Sequence, residues 1–148
     1  MQWIIGADHA GFAAKESLKQ FIKEQLHDEL IDVGTSQEES CAYPEFAIKV
    51  CSHVLASPES RGILICGTGI GMSMVANRYA HIRAALCQRP QDAQMAREHN
   101  DANILCLGAR ILTLVQMQEI ILAFKAGKFA GGRHQSRVAI FDSLGQSI

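Results

Sequence analysis

The sequence predicts an α/β fold of three layers: a mostly parallel five-stranded sheet covered by helices on both faces. Three observations carry this expectation. Strand-like and helix-like segments alternate along the whole chain. The three clearest strands are apolar throughout instead of alternating, as strands buried on both faces are. A glycine-rich turn, Gly67-Thr68-Gly69-Ile70-Gly71, follows the apolar run Ile63-Leu64-Ile65 and leads into a helix-compatible pattern, Met72 to Ala76.

In chain order, Trp3 to Ala7 is the first strand and Asp8-His9-Ala10-Gly11 the turn after it. The next helix carries Leu18, Phe21, Ile22, Gln25 and Leu26 along one side. Leu30 to Val33 is a short second strand, and the polar stretch Gly34 to Ala42 is a loop. Pro44 suits a first helical turn, where its missing N–H would have no partner anyway. Ala47, Val50, Cys51, Val54 and Leu55 form an apolar stripe, and Ser57-Pro58-Glu59-Ser60 ends that helix. The third strand centres on Ile63 to Ile65. Ile82 to Cys87 is the fourth, Pro90 opens a helix towards His99, and Ile104 to Gly108 is the fifth. Thr113 and Gln116 have capping-box spacing for a helix that runs to about Ala126, with Gly127 in C-cap position. Gly131-Gly132-Arg133-His134-Gln135-Ser136-Arg137 leads into a last helical segment, Val138 to Leu144. There is no internal repeat, low-complexity tract or linker, so residues 1–148 read as one domain.

Composition narrows the partners. A net charge of −1 gives no global field for nucleic acid or an anionic membrane surface. No apolar run nears the roughly 18 residues that span a bilayer. No basic segment precedes the first strand, so no secretory signal is evident. The five cysteines, Cys41, Cys51, Cys66, Cys87 and Cys106, are odd in number and lack zinc-ligand spacing. They fit free thiols in a reducing cytoplasm.

Right-handed crossovers place every strand's carboxyl end on one edge of a parallel sheet. That edge carries Asp8-His9, Cys66 to Gly69, Cys87-Gln88-Arg89 and Gly108-Ala109-Arg110. The amides of Gly67, Gly69 and Gly71 with a helix start make an anion cradle. Cys66 stands at its rim, where the thiolate form is favoured and can take a proton or attack carbon; the alternative is a plain core cysteine. Thr68 and the glycine amides can hold an oxyanion, or form an uneventful turn. Asp8 can bind hydroxyls, or only cap the first helix. His9 can bind phosphate or move protons. His99 and Asn100 end a polar helix, where a histidine can be mere dipole-compatible surface. Arg133 and Arg137, four apart, share a helical face and suit a phosphate, as does Arg110; solvated basic surface is the bland alternative. Tyr43 can cover a ligand or staple the Pro44 helix.

Taken together, Asp8-His9-Ala10-Gly11, Tyr43-Pro44, Gly62 to Gly71, Arg97-Glu98-His99-Asn100-Asp101-Ala102-Asn103 and Gly131 to Arg137 resemble the ribose-5-phosphate isomerase B family, which is shared with galactose-6-phosphate isomerase. The likeness runs from Asp8 to Arg137. It implies a Rossmann-like fold and an aldose–ketose isomerase without metal or cofactor. It further implies a homodimer, sometimes paired into tetramers, with each site shared between subunits and the segment from about 131 to 148 reaching the partner. By the same likeness Cys66 moves a proton between C2 and C1 of the open-chain sugar, and the amides after it hold the enediolate. His99, from the partner, opens the furanose ring with Thr68 nearby. Asp8 and Asn100 bind hydroxyls. His9, Arg110, Arg133 and Arg137 surround the phosphate.

The chain departs from this pattern at Ala42, where the family usually has Asp, and at Ala7, where cysteine is frequent. Some relatives use a glutamate base further along the loop; here that place falls on Met74 or Val75, which leaves Cys66 as the base. Two other functions are disfavoured. A dinucleotide-binding oxidoreductase needs G-x-G-x-x-G and an acidic residue about 20 positions on, whereas the loop here is G-x-G-x-G and the next strand ends at Cys87-Gln88-Arg89. A non-catalytic sugar-phosphate sensor needs no proton-transfer base. Allose or galactose 6-phosphate stays open as an alternative to ribose 5-phosphate.

Overall fold

The computed structural model describes residues 1–147. Residue 148, the end of the segment expected to reach a partner, lies outside them. The elements are β1 (Gln2–Ala7), α1 (Phe12–Glu24), β2 (Glu29–Asp32), α2 (Tyr43–Ala56), β3 (Arg61–Cys66), α3 (Ile70–Ala76), β4 (Ala84–Leu86), α4 (Pro90–Asn100), β5 (Ile104–Gly108), α5 (Leu114–Ala126) and α6 (Arg133–Asp142). The five strands form one sheet in the order β2-β1-β3-β5-β4, and every pairing is parallel.

The apolar strands β1, β3 and β5 occupy the centre, as their composition predicts. Alternate side chains leave opposite faces of a strand. Trp3, Ile5, Ile63, Ile65, Leu105 and Leu107 pack under α1, α4 and α5, whose Leu18, Ile22, Ala93, Ile120 and Phe124 meet them. Ile4, Leu64, Cys66, Ile104 and Cys106 pack under α2 and α3, with Phe46, Val50, Val54 and Met72. Each fully buried Ile or Leu contributes roughly 1.5–3 kcal/mol, so these two layers hold the sheet edge in place. α6 stands outside them. Val138 is its one buried residue, and the helix makes its contact with α4.

Three boundaries differ from the sequence reading. β2 lies one residue earlier than Leu30 to Val33. The fourth strand keeps only Ala84–Leu86 of the expected Ile82 to Cys87. Side-chain amides take over the backbone groups there: Arg83 N–H donates to Asn103 Oδ1 (2.8 Å), and Ala84 exchanges hydrogen bonds with the Asn77 amide (2.8 and 2.9 Å). The last helix starts at Arg133 and not at Val138. Gly131 and Gly132 take positive φ (61° and 54°), and their carbonyls accept the first N–H groups of α6, from His134 and Gln135. Arg133 and Arg137 are therefore one helical turn apart on α6.

Lys15 is the most deeply buried charge, 1% exposed, and its Nζ donates to Asp32 Oδ2 (2.5 Å) and Glu16 Oε1 (2.6 Å). A buried ammonium needs such partners, and these tie α1 to β2.

Candidate active site

The chain leaves β1 towards β2 on one side and continues through β3 and β5 on the other. The switch point therefore lies between β1 and β3, where parallel α/β sheets bind ligands. A cavity of about 240 Å³ opens there, lined by Asp8, His9, Tyr43, Cys66, Gly67, Thr68, Gly71 and Arg110. A larger one of about 430 Å³ lies beside Asn77, Arg78 and Phe141, but no thiol or anion loop opens into it.

The glycine loop is held from both ends. Ala109 N–H donates to Cys66 O (2.8 Å) and Arg110 N–H to Gly67 O (2.9 Å), so the turn after β5 clamps the turn after β3. Gly69, the N-cap of α3, takes φ 77°, where a side chain would be strained. This bend turns its N–H back onto Cys66 Sγ at 3.1 Å. Cys66 is 6% exposed yet lines the cavity, so it is neither a plain core thiol nor an open one. Thr68 is exposed beside it, and its Oγ1 accepts Ile70 N–H (3.3 Å). The other thiols differ. Burial pushes Cys51 and Cys87 up to about 12 and raises Cys106 well above the ordinary thiol range.

Asp8 is buried, and its Oδ1 accepts Gly11 N–H (3.1 Å). That bond closes the turn before α1 and is not a helix cap, since Gly11 is the N-cap and takes no side-chain cap bond; among the described residues the other oxygen carries no hydrogen bond. His9 Nδ1 accepts the backbone N–H of Cys41 (3.3 Å), which in the neutral ring puts the proton on Nε2. Tyr43 opens α2 and lays its ring on Gly71, whose Cβ, if present, would stand 2.7 Å from Tyr43 Cζ. Arg110 runs past Gly67, with Nη1 3.4 Å from where a Cβ would be. Ala42, the N-cap of α2, offers no side-chain acceptor to the first-turn amides.

His99, Asn100, Arg133 and Arg137 are not in this cavity. The reason is topological. A crossover helix begins at the carboxyl edge of the sheet and ends at the amino edge. α4 therefore delivers His99 and Asn100 to the edge opposite Cys66. There His99 stacks on His134 of α6, with ring centroids 4.5 Å apart and planes 11° from parallel. Arg133 and Arg137 are exposed on the same helix. One chain thus holds two half-sets of the expected residues, one on each edge.

Comparison with known proteins gives these half-sets a context. The model of a family described as Ribose/Galactose Isomerase matches residues 3–141. The chain belongs to that family. Within it, the chain is 40% identical over 141 residues to ribose-5-phosphate isomerase B of Escherichia coli K12, covering 95% of this chain and 94% of that one. Among solved structures, ribose-5-phosphate isomerase B of Clostridium thermocellum superposes with a TM-score of 0.93 at 44% identity, covering 96% and 95% of the two chains. The Thermotoga maritima protein of the same name gives 0.92 at 44% identity, covering 95% and 97%.

Two contributors escape a reading by motif. Cys41 acts through its backbone N–H, which has no side-chain signature. His134 stands inside Gly131 to Arg137, but only the helix start at Arg133 turns its ring onto His99. Among the described residues no group of three or more His, Cys, Asp or Glu side chains is placed to hold a metal ion. No helix among them is long and apolar enough to cross a membrane.

Proposed function

We propose that this chain is an aldose–ketose isomerase that interconverts ribose 5-phosphate and ribulose 5-phosphate. The observation that carries it is the Cys66 sulfur beneath the Gly69 N–H, inside a cavity that also holds Asp8, Thr68 and Arg110. A base beside an anion cradle is what proton transfer α to a carbonyl needs. The family membership and the ribose-5-phosphate isomerase B relatives support the same chemistry.

The sugar first opens: the C1 hydroxyl loses a proton, the ring oxygen gains one, and the C1–O4 bond breaks. His99 carries this proton, with the Thr68 hydroxyl nearby. Cys66 as thiolate then takes the C2 proton of the open aldose, leaving an enediolate held by the amides of Gly67, Gly69 and Gly71. The O2 hydroxyl proton passes to O1 as the same sulfur returns its proton to C1, which leaves the carbonyl at C2 and gives the ketose. Asp8 and Asn100 hold sugar hydroxyls. Tyr43 covers the sugar. His9, Arg110, Arg133 and Arg137 meet the phosphate.

The two half-sets on opposite sheet edges support a site completed by a second copy. His99, Asn100, Arg133 and Arg137 then come from the partner, in a dimer or a pair of dimers. The chain acts as one isomerase domain whose segment from about 131 onward reaches that partner. The five free thiols suit a reducing cytoplasm.

Conversion of ribose 5-phosphate, allose 6-phosphate and galactose 6-phosphate, measured side by side with the purified chain, tests this reading. Turnover of the pentose alone is expected. Preference for a hexose moves the substrate and points to the loop around Ala42 and Tyr43. Turnover of none of the three overturns the isomerase reading.

A further inference from the structure

We infer that His134 is a positioning residue for His99: its ring, stacked on that imidazole across the α4–α6 contact, sets the plane in which His99 meets the sugar ring oxygen. The inference deepens the isomerase reading and rests on it. Three observations carry it. The two rings lie 4.5 Å apart and 11° from parallel, face to face over an offset that two imidazoles favour. His99 is the last residue but one of α4, where frayed backbone leaves a side chain poorly held unless something packs on it. The loop before α6 is pinned to the same turn, because Ala130 N–H donates to the Glu98 carbonyl at 2.9 Å. This anchors the start of α6, and the two positive-φ glycines Gly131 and Gly132 lead the chain from there into the helix that carries His134.

The stack also suits a ring that must gain and lose a proton. Partial burial, and then the positive charges of His99, Arg133 and Arg137, hold the His134 imidazole below the ordinary histidine range. That lowering disfavours a charge on His134 itself. Arg133 and Arg137 flank His134 on its own helix and face the phosphate in the isomerase reading. His134 itself therefore need not touch the sugar.

Ribulose 5-phosphate provides the test. Its phosphate occupies O5, so the ketose cannot close to a furanose. Deuterium entry from solvent at its C1 reports the Cys66 step without ring opening. His134→Ala should lower ribose-to-ribulose kcat about 10- to 100-fold, the scale of a misplaced catalytic group. It should leave deuterium entry at C1 of ribulose 5-phosphate within about twofold of the unmodified chain. His134→Phe, which keeps a flat ring and removes both nitrogens, should restore ribose turnover to within about threefold. Equal loss of both rates in His134→Ala, or loss of neither, overturns the positioning role. If the alanine variant does not fold, the phenylalanine variant decides: a selective tenfold loss there would mean that nitrogens, not stacking, matter. An unmodified chain that catalyses neither reaction overturns the isomerase reading itself, and this inference with it.

Discussion

The two edges of the sheet make an instructive contrast. At the carboxyl edge, Asp8, Cys66, Thr68 and Arg110 come from three strand ends far apart in sequence, yet they line one cavity. At the other edge, His99, Asn100, Arg133, His134 and Arg137 come from two helices and line nothing with Cys66. The first group is assembled by the sheet itself, because parallel pairing forces all strand ends together. The second depends on how α4 and α6 pack, and α6 buries one side chain, Val138.

Several substitutions break or sharpen that contrast. The largest effect belongs to the carboxyl edge. Cys66→Ala should lower turnover by about 10²–10⁴-fold, the worth of a positioned base, while sugar phosphate still binds. Paired turnover and calorimetric titration would check this, and lost binding together with lost turnover would point to a packing role instead.

The next prediction tests whether the edges belong to different chains at work. Cys66→Ala and His99→Asn should each be nearly inactive alone. Refolded together at equal amounts, they should regain about a quarter of full activity, since half of the dimers then carry one intact composite site. A mixture as inactive as its parts would mean that each chain completes its own site.

Within the carboxyl edge, Gly69→Ala should cost about 2 kcal/mol in urea unfolding. The new Cβ would sit at positive φ, 2.6 Å from Leu86 Cδ1 and 3.0 Å from the Leu107 backbone. The same change displaces the N–H on Cys66, so activity should fall with stability.

A pH dependence separates thiols buried in the two cores from the one at the sheet's edge. Cys51 and Cys87 are held up to about 12 by burial, above an unfolded value of about 8.5. The unfolded chain therefore loses these protons first. Their contribution is whole below that value and shrinks as pH rises towards 12, by up to about 1.4 kcal/mol per pH unit for each thiol. Urea midpoints at pH 8 and pH 10.5 should show the fall. Replacing both residues by alanine should flatten it and leave turnover intact, the opposite of Cys66→Ala.

Much of the carboxyl edge was legible in the residues. Apolar runs mark central strands because only side chains free of charge can be buried on both faces. The glycine spacing marks a cradle because Gly69 bends at positive φ and Gly71 leaves no room for a Cβ. The weak points were places where side chains displaced the backbone. Asn77 and Asn103 shorten β4 by capturing its amides, and no local pattern announces that. α6 starts early because two glycines adopt positive φ, which composition permits but does not require.

Alternation and polarity of the segments determined, from the sequence alone, a parallel sheet with Cys66, Asp8 and Arg110 on one edge. Tertiary structure alone decided the contacts that cross between elements: Gly69 N–H on the Cys66 sulfur, Cys41 N–H on His9, Tyr43 on Gly71 and His134 on His99. The physical reason is range. Periodicity and turn chemistry act over a few neighbouring residues, whereas these contacts are set to within an ångström by how two separately folded elements come to rest against each other.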